Sequence, residues 1–328
     1  ISETIFKASE GLYNLGITNE AIAIQTLVDN EDVYSFNFSI YNCEFYMRSN
    51  GVYLGNNRPN TNTIKNVSIC NCKSDSIYWH TVVTHSSYTF VDNIFTYRNG
   101  QSIDISSGSH NVIVSNCKCY SDCFGPKQDS YEDGINSTRN NELRDSYFYI
   151  IKNRNIDLES FMLYGVGGQN SVFRVINCVF ESDADRCHII QCSGYGKTEI
   201  RGCSFTKKSG ITYALIKGPT GGESSANLDV YDSSFVIEAP RSASYKMFTS
   251  IISNFSAFNS RFDLGNTYTW GFAYDDSKER FIRFNGCYLD LRTIYNYNSQ
   301  YNELTIIDSF VNITGNIDVS REGAIVNI

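Results

Sequence analysis

A six-residue phrase recurs about eleven times along the chain and constrains its fold more than any other feature. The phrase reads apolar, any, Asn/Asp/Gly, small, any, aromatic, and its clearest copy is VINCVF at residues 175–180. Successive copies are separated by roughly 27 residues, a period that indicates a solenoid of stacked repeats. The third position of the copies is occupied by Asn42, Asn71, Asp92, Asn116, Asp145, Asn177, Gly202, Asp232, Asn259, Asn285 and Asp308.

Each phrase predicts a sharp bend between two short strands. Asn, Asp and Gly tolerate the left-handed backbone conformation, so a single such residue can turn the chain without a loop. Equivalent positions of neighbouring coils would then stack about 4.8 Å apart. This stacking predicts a ladder of bends, a ladder of small residues after them and an inward ladder of aromatic rings. The predicted ring ladder contains Phe45, Phe95, Phe148, Phe180, Phe205, Phe235, Phe262 and Tyr288.

A further short strand follows each phrase, for example SIDI at residues 102–105 and FMLY at residues 161–164. Three strands per turn at this period predict a parallel β-helix. The chain resembles right-handed parallel β-helix proteins of the pectate-lyase-like group, in which a single-residue bend separates the second and third strands of each coil. The resemblance covers nearly the whole chain and implies an all-β, single-stranded, right-handed solenoid of about eleven coils.

The repeat pattern also predicts the domain organisation. Residues 1–39 lack the full phrase and are expected to form an irregular first coil or so, whereas residues 40–328 are expected to form one β-helical domain. Both ends of the chain lie in strand-like sequence, so we interpret it as an internal fragment of a longer protein. Insertions concentrate between residues 120 and 226, and loops between coils usually build the binding face of a solenoid.

Charge and cysteine content narrow the possible partners. The formal net charge is −8, which argues against nucleic acid as a partner, and no apolar run is long enough to insert into a membrane. Five of the eleven cysteines follow a bend residue, so we expect buried free thiols in preference to disulfides. Pairs such as Cys70 and Cys72 lack a matched histidine set, and we expect no metal and no cofactor. Reduced thiols indicate synthesis in a cytoplasm.

Strand alternation predicts an outward stripe on the strand that follows the phrase. With Ile103 and Ile105 facing inward, Asp104 faces outward. The stripe mixes aromatic rings, amides and charged groups, which suits a carbohydrate, although an ordinary solvated sheet face would have a similar composition. The residues that we expect to bind substrate are Tyr78, His80, Asn136, Tyr164, Arg186 and Gln191.

Acidic residues lie beside this stripe in consecutive coils. Glycoside hydrolases use two carboxylates, about 5–5.5 Å apart for retention and about 6.5–9.5 Å apart for inversion. A β-helix can provide either separation, because the carboxylates can project from adjacent coils or from coils further apart. The catalytic candidates are Asp104, Asp133, Glu159 and Asp183.

Known signatures of the resembled group restrict the expected activity. The Trp-x-Asp-His and Arg-x-Pro-x-x-Arg signatures of its calcium-dependent pectate lyases are absent, as are the Gly-His-Gly and Arg-Ile-Lys signatures of its polygalacturonases. The remaining resemblance is to phage tailspikes, which implies a homotrimer in the virion tail that binds a bacterial surface polysaccharide outside the cell. We expect this chain to bind and hydrolyse such a glycan. A non-catalytic adhesin or structural spacer, and a polysaccharide lyase, are the alternatives.

Overall fold

Within its described residues the protein consists entirely of β-strands and the turns that join them, and 35 strands are present. They are numbered β1–β35 in chain order. The computed structural model describes residues 1–7, 22–25, 37–46, 50–55, 64–75, 79–83, 86–106, 108–128, 139–151, 160–165, 171–192, 196–209, 214–218, 227–238, 245–249, 254–264, 268–270, 280–295, 302–315, 317–318 and 325–327.

Twelve strands form one parallel sheet in which neighbours come from consecutive repeats. A bend directly follows each of the first eleven. In order across the sheet they are β3 (Phe38–Tyr41), β6 (Ile64–Cys70), β9 (Ser86–Asp92), β11 (Ile113–Ser115), β14 (Glu142–Arg144), β17 (Val172–Ile176), β20 (Lys197–Arg201), β23 (Asn227–Tyr231), β26 (Asn254–Phe258), β29 (Arg280–Asn285), β32 (Asn302–Ile307) and β35 (Ile325–Asn327).

The other 23 strands form a second sheet with two runs, and its pairings are also parallel. The first run consists of β1 (Ile5–Lys7), β4 (Glu44–Tyr46), β7 (Lys73–Asp75), β10 (Phe95–Ile105), β12 (Lys118–Phe124), β15 (Tyr147–Ile150), β18 (Val179–Ser182), β21 (Ser204–Lys207), β24 (Ser234–Ile237), β27 (Arg261–Asp263), β30 (Tyr288–Leu291) and β33 (Phe310–Ile313). The second run consists of β2 (Ile22–Gln25), β5 (Val52–Gly55), β8 (Trp79–Val83), β13 (Lys127–Gln128), β16 (Ser160–Gly165), β19 (Cys187–Gln191), β22 (Ala214–Lys217), β25 (Tyr245–Thr249), β28 (Tyr268–Trp270), β31 (Thr293–Tyr295) and β34 (Ile317–Asp318). Strand β10 joins the two runs, because its start pairs with β7 and its end with β8.

The strand order repeats along the chain as one strand of the first sheet, a bend, and one strand from each run of the second. Each strand pairs with its equivalent in the next repeat, as β14 does with β17 and β15 with β18. Long sheets with parallel pairing throughout are compatible with the predicted parallel β-helix.

The predicted bends adopt the left-handed backbone conformation. Nine of the eleven predicted bend residues have a positive φ, including Asn177 at 52° and Gly202 at 60°. A Cβ atom at Gly202 would come within 2.7 Å of Asn177 Oδ1, so a side chain at that position would have to displace the Asn177 amide. Bend side chains are linked between coils, and Asn177 Nδ2 donates to Asp145 Oδ1 over 3.2 Å.

Two bends lie one residue later than predicted. The positive φ belongs to Asn93 and Gly286, not to Asp92 and Asn285. Both copies contain two adjacent bend-forming residues, so the pattern alone does not decide between them. The prediction that Phe95 belongs to the inward ring ladder is therefore wrong, because a shift of one residue turns its side chain outward, where it is 43% exposed.

The one-residue shift of the bend to Gly286 also makes the predicted inward position of Tyr288 wrong. Tyr288 follows Cys287, which is buried and lies directly after the bend residue Gly286. Alternation therefore turns the Tyr288 ring outward and leaves Leu289 in the interior.

The core contains stacked aromatic rings and thiols. The rings of Phe180 and Phe205 have centroids 4.6 Å apart and are 2° from parallel, and Phe205 and Phe235 repeat this at 4.8 Å. Both spacings match the distance between neighbouring strands. All eleven cysteines are free, and burial raises the pKa of most of those with a resolved shift, as it does to about 12 for Cys192. The thiols therefore act as small apolar side chains.

We predict that Asn177→Val destabilises the protein, because valine is strained at the φ of 52° observed there. The expected loss in the free energy of unfolding is about 1–2 kcal/mol, measured by urea unfolding. Asn177→Gly is the control, since glycine adopts positive φ without strain. Equal losses in the two variants would contradict a bend at this residue.

Candidate functional site

Three of the predicted site residues stack in one ladder on the second run of the large sheet. The backbone register pairs Asp104 with Lys127, Lys127 with Tyr164, Tyr164 with Gln191, and Gln191 with Lys217. We call these five residues the Asp104 ladder. Sequence reasoning missed Lys127, because it lies in the region between residues 120 and 226 where insertions are predicted. Parallel pairing therefore brings together residues more than a hundred positions apart in the chain.

Two members of the Asp104 ladder, Asp104 and Tyr164, are buried, and the other three are partly exposed. Lys127 Nζ lies 3.8 Å from Asp104 Oδ2, and the Ser106 hydroxyl donates to Asp104 Oδ1 over 2.8 Å. The Lys127 ammonium also lies 5.6 Å from the Tyr164 ring centroid, and the Phe161 ring packs 5.1 Å from that ring. Asp104 is only 5% exposed and Tyr164 only 8%, so the prediction of an open outward face is wrong for these two side chains.

The structure places Arg186 and Gln191 at the surface. Arg186 is exposed in the turn before β19, has a φ of 53°, and accepts a backbone hydrogen bond from Ser160. Gln191 is partly exposed at the end of β19. Among the contacts of the described residues, none joins Arg186 to Gln191. Four further predicted site residues lie outside the described residues, namely Tyr78, Asp133, Asn136 and Glu159.

The outward orientation predicted for His80 is wrong. Its side chain is fully buried, its Nδ1 lies 2.7 Å from the Thr81 hydroxyl, and its ring meets the Phe45 ring edge-on at 5.5 Å. His80 is the second residue of β8. Burial lowers the pKa of His80 to about 3, so the imidazole is neutral in the core.

A second surface lies on the first run of the large sheet, on strands β10, β12, β15 and β18. Tyrosine rings project from neighbouring strands, and Tyr120 lies at their centre. Its ring centroid is 6.1 Å from Tyr97, 5.8 Å from Tyr147 and 6.0 Å from Tyr149, with the planes tilted by 40° to 65°. We call this surface the tyrosine patch; it comprises Tyr97, Tyr120, Tyr147, Tyr149, Glu181 and Asp183.

The two carboxylates of the tyrosine patch bind the hydroxyls of two of its tyrosines. The Tyr147 hydroxyl donates to Glu181 over 2.5 Å, and the Tyr149 hydroxyl donates to Asp183. Two residues of the next coil complete the contacts. Lys208 Nζ donates to Glu181 over 2.8 Å, and the Ser209 hydroxyl donates to Asp183 over 2.9 Å.

These contacts hold both carboxylates in the ionised state. Burial alone would raise the pKa of Glu181, but the hydrogen bonds from Lys208 and Tyr147 outweigh it and leave the pKa below its ordinary value. The pKa of Asp183 is likewise lowered, since the hydrogen bonds from Tyr149 and Ser209 outweigh burial. Burial and the same carboxylates raise the pKa values of Tyr147 and Tyr149 far above the ordinary phenol value.

Sequence reasoning identified one member of the tyrosine patch, Asp183, and missed the others. The predicted stripe lies on the strand that follows each phrase, in the second run, whereas the patch lies on the strand directly after the bend, in the first run. A signal for it exists in the sequence. Tyrosines stand at outward positions of β12 and β15, at Tyr120, Tyr147 and Tyr149, in two consecutive coils. Nothing in the sequence indicates how the rings are tilted or which groups bind the carboxylates.

The described residues contain no group of three or more His, Cys, Asp or Glu side chains that could hold a metal ion. No helix long and apolar enough to cross a bilayer occurs among them.

The fold and the tyrosine patch define an all-β protein with long parallel sheets and an exposed aromatic surface on one of them. Comparison with models of known protein families found no match. Comparison with curated proteins found no match either.

We predict that acid destabilises the protein in part through His80. Its pKa is about 3 in the fold and about 6.5 in the unfolded chain, so the unfolded state binds the additional proton between these values. Stability is therefore complete above a pH of about 6.5 and decreases toward pH 3, by as much as about 5 kcal/mol from this group.

The measurement is the free energy of unfolding between pH 7.5 and 4.5, by urea, in the wild type and in His80→Leu. The variant should lose less stability on acidification than the wild type does. His110→Gln is the control, because His110 is only partly buried. Parallel pH profiles for wild type and His80→Leu would contradict the buried neutral imidazole.

Proposed function

We propose that this protein is a carbohydrate-binding, single-stranded, right-handed parallel β-helix of about eleven coils. Its ligand is a polysaccharide of a bacterial cell surface, and its binding surface is the tyrosine patch. The observation that carries the proposal is the group of tilted, partly exposed tyrosine rings that ends in two ionised carboxylates. Tyr97 at one end is 43% exposed and therefore accessible to a ligand.

The chemistry of the tyrosine patch matches that of a sugar chain. Aromatic rings pack against the apolar faces of sugar rings, and carboxylates accept hydrogen bonds from hydroxyl groups. Both Glu181 and Asp183 have two oxygen atoms, so hydrogen bonds from the protein leave acceptor capacity for a ligand. The side chains stand on paired strands, and such preorganisation reduces the entropy that binding costs.

A tailspike-like role accommodates the other properties of the chain. In such a protein three copies would form a homotrimer in a virion tail and meet the glycan outside the cell. Free thiols buried in the core suit a chain that is synthesised in a host cytoplasm. The resemblance in repeat pattern and the parallel pairing of the strands support this assignment at the level of fold.

Hydrolysis of the bound glycan is the second candidate, and the spacing of Glu181 and Asp183 favours it. Residues two positions apart in an extended chain lie about 6.6 Å apart along the backbone, so the carboxyl groups on them can reach the separation of about 6.5–9.5 Å that inverting glycosidases use. Hydrolysis also needs one protonated carboxyl group, whereas the pKa values of both groups are lowered. A lyase would need a Lys, His or Tyr base beside a group that neutralises charge, and the raised pKa values of Tyr147 and Tyr149 oppose a tyrosinate base in the patch. Binding without cleavage is therefore the function favoured at neutral pH.

We predict that Tyr120→Ala weakens glycan binding, because Tyr120 contacts the three other rings of the patch. An array of purified capsular and O-antigen polysaccharides identifies a binding glycan, and titration of its oligosaccharides gives the affinity. The expected loss is about tenfold, the size of one aromatic contact.

Tyr88→Ala is the matched control, since Tyr88 is an exposed tyrosine on the other sheet, 59% exposed on β9. It should bind like the wild type. If the wild type binds no polysaccharide of the array, or if Tyr97→Ala and Tyr120→Ala both bind normally, the tyrosine patch is not the binding surface.

We predict that the wild type binds the polysaccharide at pH 7 without shortening it, as judged by size-exclusion chromatography and by new reducing ends. Shortening that disappears in the Glu181→Gln, Asp183→Asn double variant would instead make the protein a hydrolase. Products that absorb in the ultraviolet would indicate a lyase. If shortening survives in that variant, Asp133 and Glu159 are the next carboxylates to replace, and the catalytic assignment moves to them.

A further inference from the structure

A lysine is completely buried beneath the tyrosine patch. Lys207 is the last residue of β21, and none of its surface is exposed. Fully buried lysines are rare unless their charge is compensated. The register pairs Lys207 with Ser182 on one side and with Ile237 on the other, and Ser182 in turn pairs with Ile150. Apolar side chains therefore occupy the same inward position in nearby coils.

The charge of Lys207 is compensated by the backbone. Its Nζ donates to the carbonyl oxygen of Ala184 over 2.6 Å, to that of Ser209, and to that of Ser182 over 3.5 Å. Burial lowers the pKa of Lys207, while Asp183 and the other acidic groups nearby act in the opposite direction. An ammonium group surrounded by carbonyl oxygens resembles a bound metal cation that is tethered to the chain.

The carbonyl groups that bind Lys207 belong to the residues that surround Asp183. Ser182 and Ala184 are its two chain neighbours, and Ser209 is the residue whose hydroxyl donates to the Asp183 carboxylate. The ammonium therefore joins the segment that carries Asp183 to the segment that carries its hydrogen-bond partner. The carboxylate itself points to the other side of the strand, where the Tyr149 hydroxyl donates to it.

We propose that Lys207 is a positioning residue of the tyrosine patch: its buried ammonium fixes residues 182–184 against Ser209 and thereby places the Asp183 carboxylate against Tyr149. The core does not need a cation here, since isoleucine fills the equivalent place in Ile150 and Ile237. A buried charge disfavours folding unless its contacts offset the loss of hydration. What the lysine provides beyond isoleucine is the link between the two segments.

The role of the carboxylate in glycan binding rests on the proposed function, but its position can be measured without a glycan. The hydroxyl of Tyr149 bonds to Asp183, whereas that of Tyr147 bonds to Glu181, which is held by Lys208. Tyr147 is therefore an internal reference. The probe is nuclear magnetic resonance of protein labelled with ¹³C at the tyrosine Cζ atoms, with the two signals assigned by Tyr147→Phe and Tyr149→Phe.

In the wild type neither signal should titrate as the pH is raised to about 11, because both phenol pKa values lie well above the ordinary value of about 10. In Lys207→Ile the pKa of Tyr149 should fall, although burial still holds it above the ordinary value, so its signal should begin to titrate within this range while the Tyr147 signal stays unchanged. Simple loss of a nearby positive charge would shift the Tyr149 pKa upward, which is the opposite direction. Asp183→Asn should reproduce the behaviour of Lys207→Ile.

Two variants guard against misfolding as the explanation. Lys207→Met retains the linear shape of the side chain without its charge, and circular dichroism establishes whether each variant is folded. Ile237→Val changes the same inward position in the next coil and should leave both tyrosine signals unchanged. A Tyr149 signal that remains untitrated in folded Lys207→Ile and Lys207→Met would overturn the proposal, as would equal changes at Tyr147 and Tyr149.

The glycan measurement separates this proposal from the proposed function. If Lys207→Ile and Asp183→Asn each weaken oligosaccharide binding and the double variant is no weaker than either alone, Lys207 acts through Asp183. Fully additive losses would contradict positioning through that carboxylate. If Tyr149 responds as expected but no variant alters binding, the positioning holds and the assignment of the glycan site fails.

Discussion

One backbone constraint supports the rest of this structure, namely a single residue in the left-handed conformation at the same place in almost every repeat. A residue such as Asn177 turns the chain between the two sheets without a loop. Because the turn takes one residue, the strands before and after it remain in register with those of the next coil. Parallel pairing, stacked rings and buried thiols all follow from that register.

The outer faces of the two runs of the large sheet differ because their polar side chains have different partners. In the Asp104 ladder the carboxylate is paired with Lys127 and covered, so little of it can meet a ligand. In the tyrosine patch the carboxylates are held by phenol hydroxyls and remain partly exposed. Hydrogen bonds to the ionised form lower the pKa values of these groups, which suits them to accepting hydrogen bonds more than to donating protons.

The errors of the sequence-based predictions at Phe95 and Tyr288 have a common physical cause. Alternation assigns a side chain to the inner or outer face only if the starting point of the strand is known to the residue. Where two bend-forming residues are adjacent, as at Asp92 and Asn93, the start is ambiguous and Phe95 moves to the outside. Errors of one residue therefore leave the fold unchanged and reverse the role of a side chain.

The sequence by itself determined the class of fold, the positions of most bends and the buried state of most thiols. These depend on local chemistry repeated at a fixed period, and both kinds of information are present in one chain. Only the tertiary structure decided which acidic residue meets which hydroxyl, that Lys127 neutralises Asp104, and that Lys207 lies beneath Asp183. Such contacts join separate coils, and they depend on the register between strands to within one residue, which no single repeat specifies.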